Sequence, residues 1–182
     1  MKIAITQRET LINGIAHDCL DNHWYTLLEK HEVIPIPNLS ATIPTDFDML
    51  IISGGETSTN RTATELLYYQ ISLLKGIPIL GICHGAFFIN EQSGGANTTI
   101  IGHKNTEHLI YMDGKSHIVN SYHTLSIEKL GSNFSSIASI ANNAFSIEAF
   151  RHNELPIWGI VWHPERMGHP VFPKDVKRLI YG

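Results

Sequence analysis

Over its first half the chain alternates short apolar runs with segments whose apolar positions recur at helical spacing. Lys2–Thr6, Glu32–Pro35, Met49–Ser53 and Ile79–Ile82 are runs of strand length. Between them, Asp18–Lys30 puts Leu20, Trp24, Leu27 and Leu28 on one face and predicts a helix. Thr62–Leu74 predicts a second helix and Ala86–Gln92 a third, which Ser93-Gly94-Gly95 would stop. Asn38–Thr45 is polar and Pro-punctuated, and reads as a loop. Strands alternating with helices predict a mainly parallel central sheet inside a three-layer α/β sandwich. From Ile100 to Phe150 the texture changes to short alternating runs, with Asp113-Gly114 marking a hairpin between Tyr111-Met112 and Lys115–Val119. That stretch predicts a small antiparallel β excursion before the chain returns to a buried strand at 157–162 and a closing helix at Lys174–Tyr181.

Composition narrows the picture. The 182 residues are 43% hydrophobic and 16% charged, as expected of one globular domain spanning 1–182. A net charge of −4 without a Lys/Arg block argues against binding nucleic acid through its phosphates. No apolar run is long enough for a membrane span, and no secretory leader is evident, so a cytoplasmic location is expected. The two cysteines, Cys19 and Cys83, do not make a disulfide framework, and Cys19 reads as packing at the start of a helix.

Cys83 is different. It sits in Gly81-Ile82-Cys83-His84-Gly85, between an apolar strand and an apolar helix, which is a nucleophile elbow with Cys in place of Ser. The glycines leave room for a sharp turn, and the thiol falls at a helix N-terminus, where the dipole favours thiolate. A buried structural Cys is the plain alternative, and a base is needed to decide against it. His163-Pro164-Glu165, directly after the strand 157–162, supplies one: His163 as base, Glu165 two residues on to orient it, and Pro164 to stiffen the pair. Upstream, the strand ending Ser53-Gly54-Gly55 offers the N–H of Gly55, which with that of His84 would form an oxyanion hole. All three segments follow predicted strands and so should meet at the carboxyl edge of the sheet.

Together these segments resemble the class I glutamine amidotransferase family, whose Cys, His and Glu occur in this chain order on a flavodoxin-like fold. The opening Lys2–Arg8, the Asn-Ser-x-His loop at Asn120-Ser121-Tyr122-His123, and Ile147-Glu148-Ala149-Phe150 are similar to the γ-glutamyl hydrolase branch. The resemblance implies a Cys83–His163–Glu165 triad that cleaves a γ-glutamyl amide through a thioester, without cofactor or metal. The sequence departs from many members at three points. Phe87 stands where they carry a glutamine-binding Gln, Val161-Trp162 replaces Gln-Phe before His-Pro-Glu, and Glu56 stands where many have Pro. Gly54, Glu56, Arg8, Phe87, Asn120, Ser121, Tyr122 and His123 are then the candidates for holding the glutamyl unit. The compact length resembles stand-alone members of bacterial surface-polysaccharide pathways, one of which removes glutamate from γ-glutamyl cytidine diphosphoramidate during capsule phosphoramidate synthesis. Two alternatives stay open: a glutaminase component passing ammonia to a separate synthetase partner, and a Cys-elbow regulator or redox protein.

The chain has 11 His. His103, His108, His117 and His123 fall in the β excursion, but their spacings match no HxxxH or HxH pair with a nearby Cys, so no metal site is expected.

Overall fold

The apolar runs become the middle of a mixed sheet with helices on both faces. The computed structural model describes residues 1–39, 44–140 and 143–182. The elements are β1 (Lys2–Thr6), β2 (Arg8–Ile12), β3 (Ile15–Cys19), α1 (His23–Leu27), β4 (Glu32–Ile36), β5 (Met49–Ile52), α2 (Thr59–Lys75), β6 (Ile79–Ile82) and α3 (His84–Gln92). They continue with β7 (Ala96–Thr99), β8 (Lys104–Met112), β9 (Lys115–Tyr122), β10 (Leu125–Lys129), β11 (Phe134–Ile140), β12 (Asn143–His152), β13 (Ile157–Ile160) and α4 (Lys174–Tyr181). The central sheet runs β4-β1-β5-β6-β13-β12-β11-β8-β9, with β10 pairing β12 and β7. Pairings from β4 to β13 are parallel, and β12 begins an antiparallel region. The excursion expected over 100–150 is therefore continuous with the parallel strands through β12.

Parallel strands covered on both faces need apolar residues at every position, and the two faces divide them by period two. Ile3, Ile5, Met49, Ile51, Leu80 and Ile82 pack towards Trp24, Leu28, Val176 and Ile180. Their neighbours Ala4, Leu50, Ile52 and Ile79 pack on the other side with Tyr68, Tyr69, Ala86 and Phe88. The three-layer α/β architecture is as the alternation predicts.

The stretch after β1 differs from expectation. No long helix spans Asp18–Lys30: Asp18 and Cys19 end β3, and α1 is a short piece around the buried Trp24. The reason is the Asn13-Gly14 turn, with φ of 52° and 78°, which folds β2 onto β3 as a two-stranded hairpin. Asp18 is then committed to Asn38, accepting from its backbone N–H at 2.9 Å and its side-chain amide at 2.6 Å. The polar loop expected over Asn38–Thr45 lies, for residues 40–43, outside the described residues. The hairpin at Asp113-Gly114 and the closing helix form where the pattern puts them.

Candidate active site

β6 ends at Ile82 and the chain reverses through Cys83, whose φ of 50° and ψ of −104° are an unusual conformation for a residue with a side chain. Such a backbone costs roughly 1–3 kcal/mol and persists only where its surroundings over-determine it. Here they do. The Cys83 N–H donates to the Ile160 carbonyl of β13 at 2.8 Å, and the Cys83 carbonyl accepts from Ala86 and Phe87 at 3.0 and 3.2 Å. A Cβ at Gly85 would overlap the Ile52 carbonyl of β5, and one at Gly81 the Gly85 carbonyl.

His163 follows β13 at the same sheet edge. Its Nδ1 donates to Glu165 Oε1 at 2.6 Å, both side chains being buried. Asn120 of β9 clasps the His163 backbone from both sides: Oδ1 accepts its N–H at 2.8 Å and Nδ2 donates to its carbonyl at 2.8 Å. The ring lies against Gly54, where a Cβ would overlap Cε1. Burial pulls the His163 pKa down, but the Cys83 side chain and the Glu165 carboxylate outweigh it and push it up to about 9.

The Ser53–Glu56 loop after β5 is gripped by Arg61, a fully buried guanidinium on α2. Arg61 donates to the carbonyls of Ser53 at 2.6 Å, Gly54 at 3.3 Å and Glu56 at 3.0 Å. Ser58 caps α2 by accepting the Arg61 N–H, which fixes where that guanidinium starts. Its charge is balanced by Glu65 one turn on, at 2.7 Å, and the other Glu65 oxygen takes His84 Nε2 at 2.7 Å. Burial raises the Glu65 carboxyl, but His84 and Arg61 more than offset this and hold it below its ordinary value. One buried relay thus links the loop carrying Gly55 to the residue after Cys83.

A cleft of about 320 Å³ opens above these groups. Cys83, His163, Gly55 and His84 line it, as do Arg8, Glu56, Phe87, Tyr122 and His123. Glu165 and Gly54 sit behind His163. Asn120 and Ser121 do not line the cleft; their expected role as substrate contacts is corrected to positioning. Asn120 is spent on the His163 backbone, and the Ser121 hydroxyl donates to the His103 carbonyl. Arg61, Glu65 and Arg166 are not expected from the sequence. Arg166 lines the cleft, with its guanidinium carbon 5.3 Å from the Tyr122 ring centre and Nε donating to Asp21 at 3.1 Å. An Arg-x-x-x-Glu pair on one helix face is the visible signal for the first two; Arg166 gives none beyond its place next to Glu165.

The expectation that no metal-ligating cluster forms, drawn from spacing along the chain, is also corrected. Among the described residues, His103, His108, His123 and Glu148 bring one ligand atom each within 4.8 Å of one another, beside the cleft. Burial pulls His103 and His123 below the ordinary histidine range, against the opposing pull of Glu148. His117 stays apart, opposite Ile110 in the β8–β9 hairpin.

A cysteine at a strained strand–helix junction, with a His–Glu pair at the end of the adjacent parallel strand, defines a Cys-elbow α/β protein. Residues 16–174 match the model described as glutamine amidotransferase class-I, and the chain belongs to that family. It is 31% identical over 185 residues to the γ-glutamyl-CDP-amidate hydrolase of Campylobacter jejuni, covering 91% of this chain and 90% of that one. It is 31% identical over 153 residues to a separately encoded component of the glutamine-hydrolysing GMP synthase of Methanothermobacter thermautotrophicus, covering 75% of this chain and 79% of that one. Against the GMP synthase of Dehalococcoides mccartyi, 32% identical, it spans 92% of its own length but 32% of the relative's. A crystal structure of a GMP synthase component from Thermoplasma acidophilum superposes with a TM-score of 0.74 at 21% identity, covering 98% of this chain and 90% of that one. Among the described residues no helix is long and apolar enough to cross a membrane.

Proposed function

We propose that the chain is a γ-glutamyl amide hydrolase whose triad is Cys83, His163 and Glu165. The observation that carries the reading is His163, held at 2.6 Å by Glu165, raised to a pKa of about 9 by Cys83 and Glu165, and facing the same cleft as Cys83. With His163 protonated, the cycle starts from a thiolate. Cys83 Sγ attacks the γ-carbonyl carbon, and the oxyanion is received by the N–H groups of Gly55 and His84. As the C–N bond breaks, His163 gives its proton to the departing amine, leaving a γ-glutamyl thioester. His163 then takes a proton from water, whose oxygen attacks the thioester. Collapse releases glutamate and restores the thiolate–imidazolium pair.

The cleft supports an amine larger than ammonia. Arg8 and Arg166 place two cations in it, Glu56 can take an α-ammonium, and Phe87 fills the position where many relatives carry the amide that grips glutamine. An anionic, nucleotide-linked leaving group such as CDP-amidate fits this lining. The GMP synthase relatives favour a second reading, a glutaminase component that releases ammonia for a separate synthetase. Glutamate release from γ-glutamyl-CDP-amidate, from a panel of γ-glutamyl amines and from glutamine separates them. The first reading expects turnover of the CDP-amidate far above that of glutamine. Release confined to glutamine would establish the second, and activity surviving Cys83→Ala would overturn the thiolate mechanism itself.

A further inference from the structure

Behind the cleft wall, three imidazoles and a carboxylate converge without satisfying one another. The ring centres of His103, His108 and His123 lie 4.9–6.2 Å apart. His123 Nδ1 is 2.6 Å from the Leu125 carbonyl, which can only accept, so Nδ1 carries the hydrogen and Nε2 presents a lone pair. That lone pair faces Glu148 Oε2, another acceptor, 3.9 Å away. His103 Nδ1 lies 3.4 Å from the same His123 nitrogen. His108 Nε2 approaches Glu148 Oε2 to 3.2 Å, yet both atoms are buried without a hydrogen-bond partner, because the approach is off the hydrogen-bond direction. Glu148 is 1% exposed and His123 4%. Facing acceptors sealed from water repel, and a buried carboxylate needs a cation or donors.

The register explains how the group assembles. β8 and β9 pair with Glu107 opposite Asn120 and Thr106 opposite Ser121, but Lys104 is opposite Tyr122. Asn105, at φ 56°, is therefore an extra residue in β8, a bulge with its left-handed residue. One extra residue inverts the alternation of faces. Without it His103 and His108 would face opposite sides; with it both face the side of Ser121, and His123 follows Ser121 by two. Glu148 arrives on that side from β12.

We propose that His103, His108, His123 and Glu148 bind one divalent transition-metal ion, zinc being the best match to three imidazoles and one carboxylate. Bonds of about 2.0–2.2 Å in a tetrahedron put donors roughly 3.3 Å apart, so the group closes by small side-chain movements from its present span. The Leu125 carbonyl already supplies the outer hydrogen bond that fixes a metal-bound histidine's tautomer. Four protein ligands leave no open position, so the ion's part is to hold the wall. It would tie β8, the β9–β10 turn and β12 together behind His123 and the Phe87 ring, whose centres lie 6.1 Å apart.

The test loads the intact chain with Zn²⁺, removes excess by dialysis, and measures bound metal by mass spectrometry beside Cys83→Ala, His108→Ala and Glu148→Gln. One equivalent is expected in the parent and in Cys83→Ala, falling to near none in the other two, with a rise in Tm on loading only where metal is held. Failure of the parent to retain metal, or retention that is lost in Cys83→Ala alone, would overturn the proposal. Should the cluster variants not fold, the Co²⁺-loaded parent decides. An intense tetrahedral ligand-field band without a thiolate charge-transfer band supports the site. Its absence, or a thiolate band placing the metal at Cys83, rejects it.

Discussion

The two halves of the sheet store their chemistry differently. In the parallel half every candidate group sits at a strand's carboxyl end: Gly55 after β5, Cys83 after β6, His163 after β13. Each is announced by a short local motif, and the buried charges there are fully matched, as in the Arg61–Glu65–His84 relay. In the antiparallel half the polar groups lie within strands or at their ends, are gathered by cross-strand register, and remain unmatched at Glu148 and His108. A local motif survives any register; a cluster made by pairing depends on every residue between its members.

The largest effect expected on this contrast is chemical. Cys83→Ala should cut glutamate release by about 10⁴-fold or more while circular dichroism and Tm stay near the parent. A loss of fold instead would mean that the elbow's role is structural. Two buried carboxylates come next. Glu65→Gln leaves the Arg61 charge uncompensated and should cost about 3–5 kcal/mol in urea denaturation. Glu148→Gln in metal-free protein removes a charge that nothing balances, and should cost less than about 1 kcal/mol or stabilise. Equal losses at the two would erase the distinction between matched and unmatched halves.

Titration probes the parallel half alone. The folded-state pKa of His163 is raised from 6.5 to about 9, so its interaction is fully present below pH 6.5 and is lost as pH rises through 9. Tm should fall over that window, and Cys83→Ala should lower the His163 pKa observed by NMR and weaken the fall. Where the halves meet, Asn120→Ala would leave the His163 backbone groups without their partner and cost about 1–3 kcal/mol, with a lower kcat, read by melting and initial rates. Smallest is Asn105→Gly, which keeps the bulge and should change stability by less than about 1 kcal/mol with metal still held. Deleting Asn105 should instead return His103 to the opposite face and abolish metal retention.

What is legible in the sequence follows the same division. The parallel core, the elbow and the His-Pro-Glu turn are written in contiguous residues, and the order of strands and helices follows from their alternation. The β2–β3 hairpin also has a local mark, Asn13-Gly14, but the helical spacing of Leu20, Trp24 and Leu27 speaks against it. The His–Glu cluster has none. Reading His103 and His108 as one face requires knowing that Asn105 is unpaired, which is a property of β9 as much as of β8. Asn120 departs from expectation for a related reason: its partner is a backbone 43 residues away, and a side chain serving a peptide group leaves no pattern in the sequence.

The clasp of Asn120 on His163, with the bond from Cys83 N–H to Ile160, also fixes a time of arrival. During synthesis the thiol emerges long before either the strand that braces its turn or the histidine that shares its proton. Until β13 slides between β6 and β12, Cys83 lacks the brace on its turn and has no imidazolium beside it. Reactivity thus switches on with closure of the sheet, and a half-made chain carries an unassisted thiol.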